Sequence, residues 1–165
     1  MDEPMSLHHT AQNLIWHKAL PAEHFTATLA DVFEHSPWVA ERVTGERPFD
    51  DVAALHHAMC TAVRQASPQE QMALLRAHPE LAGQQAQRGE LTDASTREQK
   101  RAGLNALSGE EMIRISALNA AYMQRHSFPF IVCVGQHTKP SLFAEFERRA
   151  RNPNATEIHE ALGQV

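Results

Sequence analysis

Cysteine pairs, glycine-rich loops, long apolar runs and an excess of positive charge are all missing from this 165-residue chain, and each absence removes a class of function. The two cysteines, Cys60 and Cys133, each lie inside an apolar stretch, the usual setting of buried free thiols in a reducing compartment, and no disulfide framework is implied. Seven scattered glycines build no cradle for nucleotide phosphates. The longest strongly apolar run, Phe130 to Val134, falls far short of the ~20 residues that cross a bilayer. With 15 Lys and Arg against 20 Asp and Glu the formal charge is −5, which leaves no basic field for a phosphate backbone. Neither nucleic acid nor membrane is an expected partner. The densest basic run, Arg148, Arg149 and Arg151, follows Glu145 and Glu147 and reads as a solvated helix face. Met1-Asp2-Glu3-Pro4 opens no basic-then-apolar signal, and Gly163-Gln164-Val165 is no peroxisomal address, so the cytoplasm is the expected compartment.

Apolar residues at 42%, charged residues at 21% and aromatics at 6% describe a chain that folds, and its length fits one compact domain burying roughly 70% of its unfolded surface. Residues 1–10 are polar and aperiodic and read as a disordered leader, leaving 11–165 as a single domain. From Pro21 onward apolar side chains recur at three- and four-residue steps, the period of a helix with one buried stripe. Phe25, Leu29, Val32 and Phe33 form one stripe; Val52, Leu55, Met59 and Val63 a second; Ile115, Leu118 and Tyr122 a third. Leu142 with Phe146, and Ile158 with Leu162 and Val165, complete the set. Ser67-Pro68-Gln69-Glu70 and Ser108-Gly109-Glu110-Glu111 carry capping-box spacing, while Ser36-Pro37 and His78-Pro79 place prolines where one helix gives way to the next. The expected fold is all-α, a single compact domain of about eight short helices.

Eleven histidines raise the question of metal. His56 and His57 share a stretch with Cys60, but adjacent histidines cannot occupy one helical face, and neither HExxH nor CxxC is present. A metal-dependent hydrolase built on the His56/His57 region, and a helical protein-interaction module without catalysis, are the two alternatives to the reading below. His78 stands out by position: Pro79 forces the helix through Leu74 and Leu75 to stop, and Pro79-Glu80-Leu81 is expected to start the next one. There a helix N-terminus would oppose imidazolium and attract an anion, so that a neutral imidazole relays a proton; a plain cap satisfies the same spacing. Ser95 and Glu98 show capping-box spacing, which explains both without any chemistry. Asn119, Tyr122 and Arg125 fall on one helical face before Pro129 breaks the helix, and the apolar segment that follows either fills the core or offers backbone groups to a flat, amide-rich ring.

Taken in order, Ser36-Pro37-Trp38-Val39, Ala77-His78-Pro79-Glu80-Leu81-Ala82-Gly83, Ser95-x-x-Glu98-Gln99 and Asn119-x-x-Tyr122-x-x-Arg125-x-x-Phe128-Pro129-Phe130-Ile131 resemble one enzyme family. It is 2-oxo-4-hydroxy-4-carboxy-5-ureidoimidazoline (OHCU) decarboxylase, which forms (S)-allantoin at the end of urate degradation. The resemblance implies an all-α homodimer acting on a small purine-derived acid with neither metal nor organic cofactor. It implies His78 as the proton donor with Glu98 beside it. Pro79, Ser95, Thr96, Arg97 and Gln99, together with Phe130, Ile131, Val132, Cys133 and Val134, match substrate-lining positions, and Arg125 matches a further motif position. His126-Ser127 departs from the family's more frequent aromatic followed by glycine.

Overall fold

The computed structural model describes residues 19–165, so the proposed leader lies outside the described residues. Among the described residues every regular element is helical, in agreement with the all-α expectation, and no helix is long and apolar enough to cross a membrane. The chain divides into two compact units, one ending at Gln71 and one spanning Met72–Val165.

The first unit contains α1 (Ala22–Leu29), α2 (Trp38–Val43) with a 3-10 turn over Thr44–Glu46, α3 (Val52–Gln65), and the start of α4 (Pro68–Ala77). α2 packs on α1 and α3. Buried Phe25, Val39, Val43, Leu55, Met59 and Val63 follow the helical stripes, but Val32 and Val52 are exposed. Each sits at an element boundary: α1 ends at Leu29, before Val32, and Val52 opens α3 directly after its Asp51 cap. Ahead of α4 the capping box forms as its spacing suggests. Ser67 N donates to Glu70 Oε2 at 2.9 Å, and Glu70 N donates to Ser67 Oγ at 3.3 Å.

The second unit continues α4 and adds α5 (Gln84–Arg88), α6 (Asp93–Arg101), α7 (Gly109–His126), α8 (Lys139–Arg149) and α9 (Asn154–Leu162), with 3-10 turns over Leu104–Ala106 and Val134–Gln136. α7 is the axis of this unit and packs on both α8 and α9. Its capping box is complete, with Ser108 and Glu111 reciprocating as the sequence predicts. Tyr122, Phe128, Phe130 and Phe146 form an aromatic cluster in which Phe130 stacks on Phe146 at 4.0 Å and Tyr122 meets three rings edge-on. Removing such a ring from water contributes about 1.5–3 kcal/mol. Two expectations fail here. Arg149 is not on a solvated face but wholly buried, and Cys133, where the extended chain enters the 3-10 turn over Val134–Gln136, is an exposed free thiol.

α7 ends at Ser127, which adopts a left-handed conformation with φ 65° and ψ 21°. Glycine occupies that geometry without a Cβ penalty, and the Arg76 Nε–H bond to the Ser127 carbonyl does not depend on the side chain. Ser127→Gly is therefore expected to raise unfolding stability by about 1 kcal/mol, read as a higher denaturant midpoint at unchanged slope. In the first unit the Ser67 backbone amide, followed by Arg42, holds the Glu70 carboxyl down at about 2 against an ordinary 4.5. Its contribution is thus present above the ordinary carboxylate range and lost as pH falls toward 2. An NMR titration of Glu70 should show that low midpoint, and Arg42→Ala should move it upward.

Candidate active site

Three segments of the second unit build one recess, starting with the turn after α4. Pro79 excludes its predecessor from the α region, so α4 stops at Ala77. The next helix does not begin at Pro79, however. Ala82 takes a left-handed conformation at φ 48°, and α5 starts only after Gly83. His78 thus lies at the C-terminal end of α4 rather than at a helix N-terminus. The macrodipole there is negative, so it supports a positively charged imidazole rather than opposing one. His78 is no N-cap either: Nδ1 lies 2.8 Å from the carbonyl of Leu74, and since a carbonyl only accepts, Nδ1 carries the hydrogen. The bond to Leu74 fixes the tautomer and the orientation of the ring.

The turn is clamped by amide side chains. Gln99 Oε1 accepts from Ala82 N at 2.9 Å while its Nε2 donates to the Glu80 carbonyl at 3.4 Å. Asn119 Nδ2 donates to the Leu81 carbonyl at 2.9 Å, and Gln87 Nε2 to the Ala82 carbonyl at 3.2 Å. Gly83 is required by close approach, since a Cβ there would stand 2.7 Å from Glu80 Cβ.

α6 supplies the second segment. Thr92 caps this helix by accepting from Ser95 N, so the box anticipated between Ser95 and Glu98 does not form. Ser95, Glu98 and Gln99 instead occupy positions i, i+3 and i+4 of a single face. The third segment is the chain from Phe128 to Val134, extended because Pro129 cannot continue α7. Among the described residues no hydrogen bond uses the amides of Ile131 or Val132.

His78, Pro79, Ser95, Glu98, Gln99, Phe130, Ile131, Val132 and Val134 all line a recess of about 60 Å³, with Leu81 the one wall residue that sequence reasoning missed. His78 also borders a larger recess of about 270 Å³, formed with residues that include Arg76, Gln84 and Gln85. Four other predicted residues lie elsewhere. Thr96 is turned by helical periodicity toward a separate cavity of about 290 Å³, and Arg97 is exposed. Arg125 donates to the carbonyls of Arg151 and Asn152. The Cys133 amide donates to Gln164 Oε1.

The family model for OHCU decarboxylase matches residues 18–165 of this chain. The chain belongs to that family. A 2-oxo-4-hydroxy-4-carboxy-5-ureidoimidazoline decarboxylase of Haloferax volcanii is 40% identical over 146 residues, covering 88% of this chain and 84% of its own length. A uric acid degradation bifunctional protein of Bacillus sp. strain TB-90 is 36% identical over 146 residues, and this chain matches 28% of it. The crystal structure of an (S)-allantoin synthase superposes with a TM-score of 0.68 at 28% identity, covering 92% of this chain, which spans 49% of that longer one.

In this OHCU decarboxylase family member the wall at 130–134 is braced from behind. Arg149 Nη1 donates to the Ile131 carbonyl at 2.6 Å, while Nε and Nη2 donate to Glu157 Oε1 at 2.9 and 2.6 Å. The Tyr122 hydroxyl donates to the same carboxylate, and Asn152 Nδ2 donates to its other oxygen at 2.8 Å. Burial, reinforced by Glu157, holds the Tyr122 hydroxyl well above its ordinary value, so it remains a donor. The signal for this brace is the acidic residue on the inner face of α9, where Glu157 and Ala161 are fully buried and the anticipated Ile158 and Leu162 pack, partly buried, against the same core. The His56/Cys60 pair in α3, 3.5 Å apart, gathers no further ligands: among the described residues no group of three or more His, Cys, Asp or Glu converges.

Arg149 and Glu157 are both fully buried, and removing one member strands the other's charge. Glu157→Ala is expected to lower unfolding stability by about 3–5 kcal/mol, measured by chemical denaturation.

Proposed function

We propose that this chain decarboxylates OHCU to (S)-allantoin in urate degradation, with His78 as the proton donor and Glu98 beside it. The observation that carries the proposal is the convergence of His78, Ser95, Glu98 and the 130–134 backbone on one recess in a chain of this family. The substrate's carboxylate is attached to a ring carbon next to a C=N bond. When the C–CO₂⁻ bond breaks, its electron pair delocalises onto the ring nitrogen and CO₂ leaves, so the ligand provides its own electron sink. The electron pair then takes a proton from His78 at the neighbouring ureido-bearing carbon, the stereocentre of allantoin, while the hydroxyl on the carbon that lost CO₂ passes its proton to the ring nitrogen and becomes the ring carbonyl; the imidazole is fixed by the Nδ1–H bond to Leu74. Positioned proton transfer contributes ~10²–10⁴-fold, and fixed orientation contributes further.

Each wall has a part in this scheme. Pro79 and Phe130 confine the ring. The amides of Ile131 and Val132 donate to its carbonyl or ureido oxygens, and Ser95 and Glu98 bond the opposite edge. Gln99 acts mainly on the turn that carries His78, since both ends of its amide are engaged there. Delivery from one face yields one enantiomer. The reading extends to a cytoplasmic homodimer working on a small purine-derived acid without metal or organic cofactor.

Freshly generated urate oxidation products decay spontaneously to a racemate. With the protein present, circular dichroism should show rapid growth of a single-enantiomer signal, and His78→Asn should slow it by about 10²-fold or more. Full stereoselective turnover by the variant would refute the role given to His78.

A further inference from the structure

The chemistry above makes no use of Arg149, although this side chain is wholly buried directly behind the substrate wall. Its guanidinium lies 4.7 Å above the Phe130 ring, and one edge is fixed by Glu157. The remaining nitrogen, Nη1, holds the Ile131 carbonyl. That carbonyl and the Val132 amide belong to one planar trans peptide, in which C=O and N–H point in opposite directions. Anchoring the oxygen toward Arg149 therefore turns the Val132 N–H away from it, and Val132 lines the recess.

We infer that Arg149 is a positioning residue, which aims the Val132 amide at the substrate by fixing the Ile131 carbonyl from behind. The inference rests on the decarboxylase reading. An amide donor on the binding wall holds the ring in ground state and transition state alike, so its misalignment raises KM and leaves kcat nearly unchanged. Lysine at 149 retains the charge facing Glu157, but a single ammonium in place of a planar fork cannot serve Glu157 and Ile131 together.

The test measures kcat and KM for OHCU in the wild-type protein, in Arg149→Lys and in Asn152→Ala. Asn152→Ala removes a bond from the same carboxylate without touching the 130–134 segment. Arg149→Lys is expected to raise KM about 10-fold with kcat within about 2-fold of wild type. Asn152→Ala should lower the melting temperature while leaving KM within about 2-fold. If Arg149→Lys does not fold, the pair Arg149→Met with Glu157→Leu removes both buried charges, and the same rise in KM is expected. A folded Arg149 variant with wild-type KM would overturn the inference, and so would an equal rise in KM for Asn152→Ala. A wild-type protein that produces no enantiomeric excess would refute the decarboxylase reading itself, and this inference with it.

Discussion

Arg149 carries a positive charge at a position with no exposed surface, and a charge so placed has to be matched by groups that do not move. Glu157 neutralises it, Tyr122 and Asn152 complete the carboxylate, and the Ile131 carbonyl takes the last nitrogen. Each partner sits on a different element: Tyr122 on α7, Glu157 on α9, Asn152 in the turn before it, and Ile131 in the extended chain after α7. One ion pair thereby fixes the C-terminal half of the second unit, including the segment that lines the recess. Isosteric apolar residues would satisfy packing, but they would leave the Ile131 oxygen without a partner.

The same constraint explains what was legible in the sequence. Helix existence, the capping boxes at Ser67 and Ser108, and the stripes through Leu55, Met59, Val63, Ile115 and Tyr122 depend on local spacing, and local spacing is what a sequence displays. The ordered motifs also named nine residues that meet around a single recess. A proline after His78 promises a helix, whereas the left-handed Ala82 and the packing of Gly83 on Glu80 delay the start of α5. Thr92 took the cap assigned to Ser95, since two hydroxyl residues three apart fit the same helix start. The burial of Arg149 is not legible because its partner is eight residues away across a turn, and no periodicity reveals such a pairing.

Asn119, Tyr122 and Arg125 occupy one face of α7 at three-residue steps, and each does a different job. Asn119 holds the Leu81 carbonyl in the turn that carries His78. Tyr122 holds Glu157, and through it the opposite wall. Arg125 secures the carbonyls of Arg151 and Asn152, next to the side chain that completes Glu157. A single helix face thus sets the separation between the turn that carries His78 and the 130–134 wall, because a helix allows little change in the ~4.5 Å rise over three residues.

The two walls are held by different chemistry, and that difference suits their tasks. The turn bearing His78 is clamped by neutral amides from Gln99, Gln87 and Asn119, which add dipoles but no net charge. A formal charge in that clamp would act on the imidazole at every stage, favouring one protonation state over the other. The 130–134 wall presents uncharged backbone groups, and the buried ion pair behind it confers stiffness. The guanidinium is further kept from the recess by the Phe130 ring beneath it and by the Ile131–Val132 peptide, which passes on its orientation without exposing its charge. The brace thus stiffens the 130–134 wall while its own charges stay behind that wall.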